Sequence, residues 1–85
     1  MQLKIMYFAS LREALGCDQE TVQVPPEVTS AGALRIWLAG RSEAYALALA
    51  TKRSIRIAVN KRLAQPEEPL VEGAEVAFFP PVTGG

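Results

Sequence analysis

Eighty-five residues, 49% of them hydrophobic and 21% charged, suit one small domain with a single core and leave no room for a second. Nine basic residues balance nine acidic ones, scattered apart from Lys52-Arg53 and Lys61-Arg62, so no electrostatic footprint for nucleic acid is present. The absence of histidine and the single cysteine exclude an intrachain disulfide, a cysteine metal cluster and most self-contained catalytic constellations.

The chain opens with an alternating run, Leu3-Lys4-Ile5-Met6-Tyr7-Phe8, that predicts a strand with Leu3, Ile5 and Tyr7 on one face and Lys4, Met6 and Phe8 on the other. It carries no signal-peptide apolar block, and the longest apolar run, Ala44 to Ala50, is too short to span a bilayer. A soluble cytoplasmic protein with no membrane partner is expected. Ser10-Leu11-Arg12-Glu13 matches a capping box, with Ser10 accepting from the Glu13 amide, and Gly16 is placed to end a short helix over 10–16. Cys17 has no histidine to activate it and reads as a plain free thiol.

Glu20-Thr21-Val22-Gln23-Val24 alternates again and stops at Pro25-Pro26, a second strand able to pair with the first. Thr29 or Ser30 caps a crossover helix over 30–39 in which Leu34, Trp37 and Leu38 share a stripe, with Trp37 as the main core aromatic and Gly40 closing it. Gly32 in its first turn is poor helix chemistry, costing ~1 kcal/mol relative to alanine. Residues 43–50, opened by Ser42, read as a second short helix, with a strand as the alternative because Tyr45, Leu47 and Leu49 also alternate.

Ile55-Arg56-Ile57-Ala58-Val59-Asn60 predicts a strand with Ile55, Ile57 and Val59 inward, and Asn60-Lys61-Arg62 a turn presenting Leu63. Residues 65–69 form a loop with Leu70 and Val71 beneath it. Glu72-Gly73 turns the chain into a last strand, Glu75-Val76-Ala77-Phe78-Phe79, with Val76 and Phe78 inward. The order argues for an α+β domain over 1–79, a sheet with a helix on one face. The opposite face then carries Met6, Phe8 and Phe79 among its charges, with Leu63 at a nearby turn, the pattern of a partner interface.

Residues 80–85 form a tail. Pro80 and Pro81 leave the sheet as a stiff extended segment, and from Pro80 to Gly85 the chain reaches about 20 Å at ~3.3–3.6 Å per residue. Gly84 and Gly85 lack Cβ, so backbone and carboxylate can pass a constriction that a side chain would block. A frayed terminus is the plain alternative.

The opening Lys4-Ile5-Met6-Tyr7-Phe8-Ala9-Ser10-Leu11-Arg12-Glu13, the strand Ile57-Ala58-Val59-Asn60, and above all Glu75-Val76-Ala77-Phe78-Phe79-Pro80-Pro81-Val82-Thr83-Gly84-Gly85 resemble the small-subunit family of molybdopterin synthase across nearly the whole chain. Gly32 and Ala74 depart from the family pattern, which favours a helix-forming or acidic residue at the first and an acid at the second. The resemblance implies a ubiquitin-like β-grasp fold, a mixed sheet of four to five strands with a main helix on one face and short extra helices.

It also implies a sulfur carrier for molybdenum cofactor biosynthesis with no catalytic machinery and no bound cofactor or metal of its own. A ubiquitin-activating-enzyme-like adenylyltransferase would consume ATP to adenylate the Gly85 carboxylate. A sulfur donor such as a persulfide enzyme would then convert Gly85 to a thiocarboxylate. The tail, Pro80, Pro81, Val82, Thr83 and Gly84, would enter the large subunit of a heterotetramer of two small and two large subunits. There the pterin substrate, held mainly by the large subunit, would receive the sulfur. The family's partner-binding positions fall on Arg12 and on Phe8, Leu63 and Phe79, the outward apolar residues that alternation and the turn already single out. Carriers for thiamine or thiouridine synthesis, ubiquitin-like protein modifiers, and a passive ubiquitin-like interaction module are the rival readings.

Overall fold

The computed structural model describes residues 1–81; Val82, Thr83, Gly84 and Gly85 lie outside the described residues. Five strands form one sheet: β1 (Gln2–Tyr7), β2 (Gln19–Gln23), β3 (Arg56–Val59), β4 (Arg62–Ala64) and β5 (Glu75–Phe79), in the order β2-β1-β5-β3-β4. Three helices join them: α1 (Ser10–Leu15), α2 (Ala31–Ala39) and α3 (Glu43–Ala48). The first and last strands lie parallel at the centre, Ile5 opposite Val76 and Tyr7 opposite Phe78, while every other pairing is antiparallel. This mixed sheet, crossed by α2, is the ubiquitin-like β-grasp arrangement.

The alternation places side chains as the sequence predicts. Leu3, Ile5 and Tyr7 of β1, Val22 of β2, Ile57 and Val59 of β3, and Val76 and Phe78 of β5 are buried, and Leu34 and Leu38 of α2 belong to the same core. Each of these leucines gains about 1.5–3 kcal/mol from burial, which anchors the helix on this face and leaves the other open. Ser30 caps α2, its Oγ accepting from the Ala33 amide at 3.2 Å. Ser42 caps α3 in the same way through the Tyr45 amide at 3.4 Å, so 43–50 begins as a helix. The Gly16 amide donates to the Arg12 carbonyl, with Gly16 at φ 73°, and ends α1 where expected.

Four expectations give way. The capping box at Ser10 does not form: Ala9, at φ 55°, occupies the N-cap, and Ser10 is the first helical residue, one position too late for its hydroxyl to cap. Trp37 is only partly buried, because positions 34 and 38 hold the centre of the stripe and Trp37 falls on its flank. The core aromatics are Tyr7 and Phe78, stacked with centroids 6.2 Å apart and planes 20° from parallel. Leu70 is buried but Val71 is exposed. Residues 62–64, which the sequence presents only as the end of a turn, are the edge strand β4. Asn60 at φ 50° and Lys61 at φ 69° make the two-residue hairpin turn, with Val59 opposite Arg62.

Gly32 finds its reason here. Its amide donates to the Pro66 carbonyl at 2.8 Å, and a Cβ at this position would stand 3.0 Å from Pro66 Cβ. The loop over 65–69 is pinned onto the start of α2, so the glycine answers to close approach, not to helix propensity.

Candidate functional site

Across the open face of the sheet, strand register lines up Met6, Ala77, Ala58 and Leu63 in one row. One step towards the tail, Phe79 lies opposite Arg56, and the Phe8 amide continues the pairing by donating to the Phe78 carbonyl at 3.1 Å. The result is a shallow hollow of about 270 Å³ lined by Met6, Phe8, Ala58, Ala77 and Phe79, with Lys61 and Glu75 at its border. Phe8 is 41% exposed and Phe79 half-buried. An apolar floor with charges only at the rim is the composition of a protein-docking surface.

The structure thus brings Phe8 and Phe79 together. Leu63, 62% exposed, stands on the same row but at the sheet edge, and it lines a separate hollow of about 350 Å³ between β4 and residues 68–71. Arg12 is exposed on α1 and does not line the Phe8–Phe79 hollow.

The tail departs beside this face. Pro80, half-buried, sits in a hollow of about 190 Å³ formed with Ser10 and Leu11 on one side and Arg53, Ser54 and Ile55 on the other. Pro81 is also half-buried. The expected roles of Val82, Thr83, Gly84 and Gly85 lie outside the described residues.

Beneath the sheet lies a polar cluster that sequence reasoning misses. The Glu20 carboxylate accepts from the Tyr7 hydroxyl at 2.7 Å, the Tyr45 hydroxyl at 2.8 Å and Arg41 Nη1 at 3.0 Å. The Arg41 guanidinium also lies 4.8 Å from the Tyr45 ring centroid and 5.7 Å from that of Trp37. Burial pushes the Glu20 pKa up, but the three donors outweigh it and hold the carboxyl below its ordinary value. Burial and then the bond to Glu20 drive the Tyr7 hydroxyl far up, and the same causes push Tyr45 up to about 12. Three groups fixed in their protonation states at neutral pH serve as a clamp of α3 onto the sheet, not as acid–base machinery. Residues 7, 20, 41 and 45 share no sequence pattern, and the one available signal is a glutamate in an otherwise half-apolar strand.

Among the described residues no group of three or more His, Cys, Asp or Glu could hold a metal ion, and no helix is long and apolar enough to cross a membrane. Cys17 is a free, half-buried thiol.

Comparison with known proteins agrees with this architecture. The ThiS family model matches residues 5–85. The molybdopterin synthase sulfur carrier subunit of Escherichia coli is 42% identical over 98% of this chain and 99% of its own length. Among solved structures, a putative molybdopterin converting factor subunit 1 from Pyrococcus furiosus superposes with a TM-score of 0.78 at 28% identity, over 96% of this chain and 99% of its own. SAMP1 of Haloferax volcanii, a small archaeal modifier protein, gives 0.77 at 28% identity with both chains fully covered. The chain belongs to the ThiS family and, within it, is a relative of the molybdopterin synthase sulfur carrier subunits.

Proposed function

We propose that this chain is the sulfur carrier subunit of a molybdopterin synthase, with Gly85 as the sulfur-bearing residue. The observation that carries the reading is the apolar hollow of Phe8 and Phe79 at the root of the Pro80-Pro81 segment: a partner docked there receives the tail that starts beside it. Near-full-length similarity to sulfur carrier subunits supports the same assignment.

A terminal carboxylate has a reference pKa near ~3.5, so at neutral pH it is an anion and a poor electrophile. It needs activation. An adenylyltransferase partner provides the ATP site and turns the Gly85 carboxylate into an acyl-adenylate, with pyrophosphate as the leaving group. The terminal sulfur of a persulfide donor displaces AMP at the acyl carbon, giving an acyl disulfide; a second thiol of the donor system then cleaves its S–S bond, releasing the thiocarboxylate and leaving a disulfide on the donor. The tail then enters the large subunit, where its sulfur passes to the bound cyclic pyranopterin monophosphate, and two such transfers build the dithiolene of molybdopterin. Phe8, Phe79 and Leu63 supply the apolar docking contacts, Arg12 a polar one, and Val82 and Thr83 pass the tail channel by backbone contacts. The setting is cytoplasmic.

Deleting Gly85 separates docking from chemistry. The truncated chain is expected to bind the large subunit with nearly the affinity of the intact chain and to transfer no sulfur; an active truncation would contradict the reading. The likeness to SAMP1 favours one second reading, in which activated Gly85 is joined to a lysine of another protein. Appearance of isopeptide adducts in place of molybdopterin, in a mixture holding both acceptors, would favour it.

A further inference from the structure

We infer that Arg35 is a positioning residue for the C-terminal tail, acting through the segment that walls the Pro80 hollow; its consequence for activity rests on the carrier reading above. Arg35 projects from α2 to the stretch that follows α3. Its Nε donates to the Leu49 carbonyl at 2.9 Å, and its Nη2 donates to the carbonyls of Ala50 and, at 2.9 Å, Arg53. The last carbonyls of a helix have no partner within it, and here one guanidinium satisfies three carbonyls in and beyond the last turn. Only a planar fork can do this; a lysine ammonium is a single point on a flexible stem. The one ion pair among the described residues joins Arg41 to Glu20, so the Arg35 charge is directed to the carbonyls alone.

What those carbonyls carry is the wall of the tail exit. The Arg53 amide donates back to Ala50 at 2.9 Å, closing a turn over 50–53 that Arg35 fastens from the helix side. The next residues, Ser54 and Ile55, join Arg53 as one side of the Pro80 hollow, and Ile55 packs against the core. The opposite side is set independently: the Leu11 amide donates to the Phe8 carbonyl at 3.2 Å, and Ala9 adopts φ 55°. One wall therefore depends on Arg35 and the other does not.

The leverage comes from the prolines. Pro80 and Pro81 each have φ fixed by their rings, so a shift of the wall at Pro80 is passed on to the next residue and is not absorbed there. Misplacing a reacting group by about 1 Å can cost on the order of 10²-fold in rate. Arg35 touches no reacting atom and acts only through the wall against which Pro80 rests.

The test uses the full-length chain with R35M, which removes the donors, and R35K, which keeps charge and stem. Two readouts are taken: nuclear Overhauser contacts from the Pro80 ring to Leu11 and Ile55, and ATP-dependent adenylation of Gly85 by the pathway's adenylyltransferase, followed as pyrophosphate release. Both variants are expected to keep core contacts such as Phe78 to Tyr7 and to lose the Pro80–Ile55 contact. Adenylation kcat is expected to fall roughly five- to tenfold with KM within twofold, because the Phe8–Phe79 face is untouched. Should R35M fail to fold, R35K carries both measurements. Retained Pro80 contacts, their loss without a fall in kcat, or a rise in KM at constant kcat would each overturn the assignment. A wild-type chain that is never adenylated would instead sink the carrier reading, while the Pro80 contacts still decide whether Arg35 holds the wall.

Discussion

Replacing Glu20 with alanine is the most demanding check on the interior. The carboxylate is acceptor to a tyrosine buried to 1% exposure, to a half-buried tyrosine and to a partly exposed arginine. These three partners are not worth the same. Tyr7 cannot turn to water, so its orphaned hydroxyl costs about 1–3 kcal/mol. Tyr45 can partly rehydrate and loses on the order of 1 kcal/mol, and the Arg41 pair, its side chain 34% exposed, adds less than that. The sum is about 3 kcal/mol. For a domain of this size each kcal/mol shifts Tm by ~4–8 °C, so Glu20→Ala is expected to melt on the order of 15 °C lower. The assay is a urea titration of Glu20→Ala, Tyr7→Phe and the double variant by circular dichroism. Because the loss resides in the stranded Tyr7 hydroxyl, adding Tyr7→Phe to Glu20→Ala should recover part of the stability. A single-variant cost below about 1 kcal/mol, or a double variant that is merely additive, would refute the clamp.

Gly32→Ala pits a helix-propensity gain of ~1 kcal/mol against a Cβ 3.0 Å from Pro66 in a loop that also accepts the Ala31 amide through Glu68. A net loss of about 1 kcal/mol is expected, measured by thermal melting; a gain would show that the loop yields. Phe79→Ala is expected to leave the fold in place, since Phe79 is half-buried, and to weaken large-subunit binding by at least ~2 kcal/mol, about 30-fold in Kd by calorimetry. An unchanged Kd would remove Phe79 from the interface. In acid, the Glu20 carboxyl is held below its ordinary value of 4.5, so its contribution is present above that pH and lost as pH falls through the folded value. In base, Tyr45 is raised from 10.0 to about 12, so its contribution is full below pH 10 and lost as pH rises towards 12. Tyr45→Phe should therefore flatten the alkaline limb of the stability profile, and Glu20→Gln the acid one, both by urea midpoint.

The sheet is legible in the sequence because alternation is a local signal that burial enforces: Leu3, Ile5, Ile57, Val76 and Phe78 all face inward as their spacing requires. The same alternation puts Phe8 and Phe79 on the open face, and the strand pairing then closes them into one hollow. What the sequence hides depends on contacts between distant residues. Ser10 looks like a cap because its neighbours fit a motif, but the left-handed Ala9 moves the helix start by one residue. Helical spacing from the leucines would put Trp37 in the core, whereas Leu34 and Leu38 already fill the centre of the stripe. Gly32 looks like a helix defect until Pro66 is seen to lie against it. The Arg35 fork reaches 14 residues along the chain to Leu49 and the Glu20 cluster 25 residues to Tyr45, and no local spacing announces either contact.

One atom, borne by Gly85, carries the proposed chemistry. The most direct measurement is the intact mass of the full-length protein after incubation with an adenylyltransferase of the proposed pathway, ATP, a persulfide donor and a thiol reductant. Replacement of one oxygen by sulfur, localised to Gly85 by fragmentation and absent without ATP, is the expected result. An unchanged mass under all conditions, with the adenylyltransferase shown active on another carrier, would contradict it.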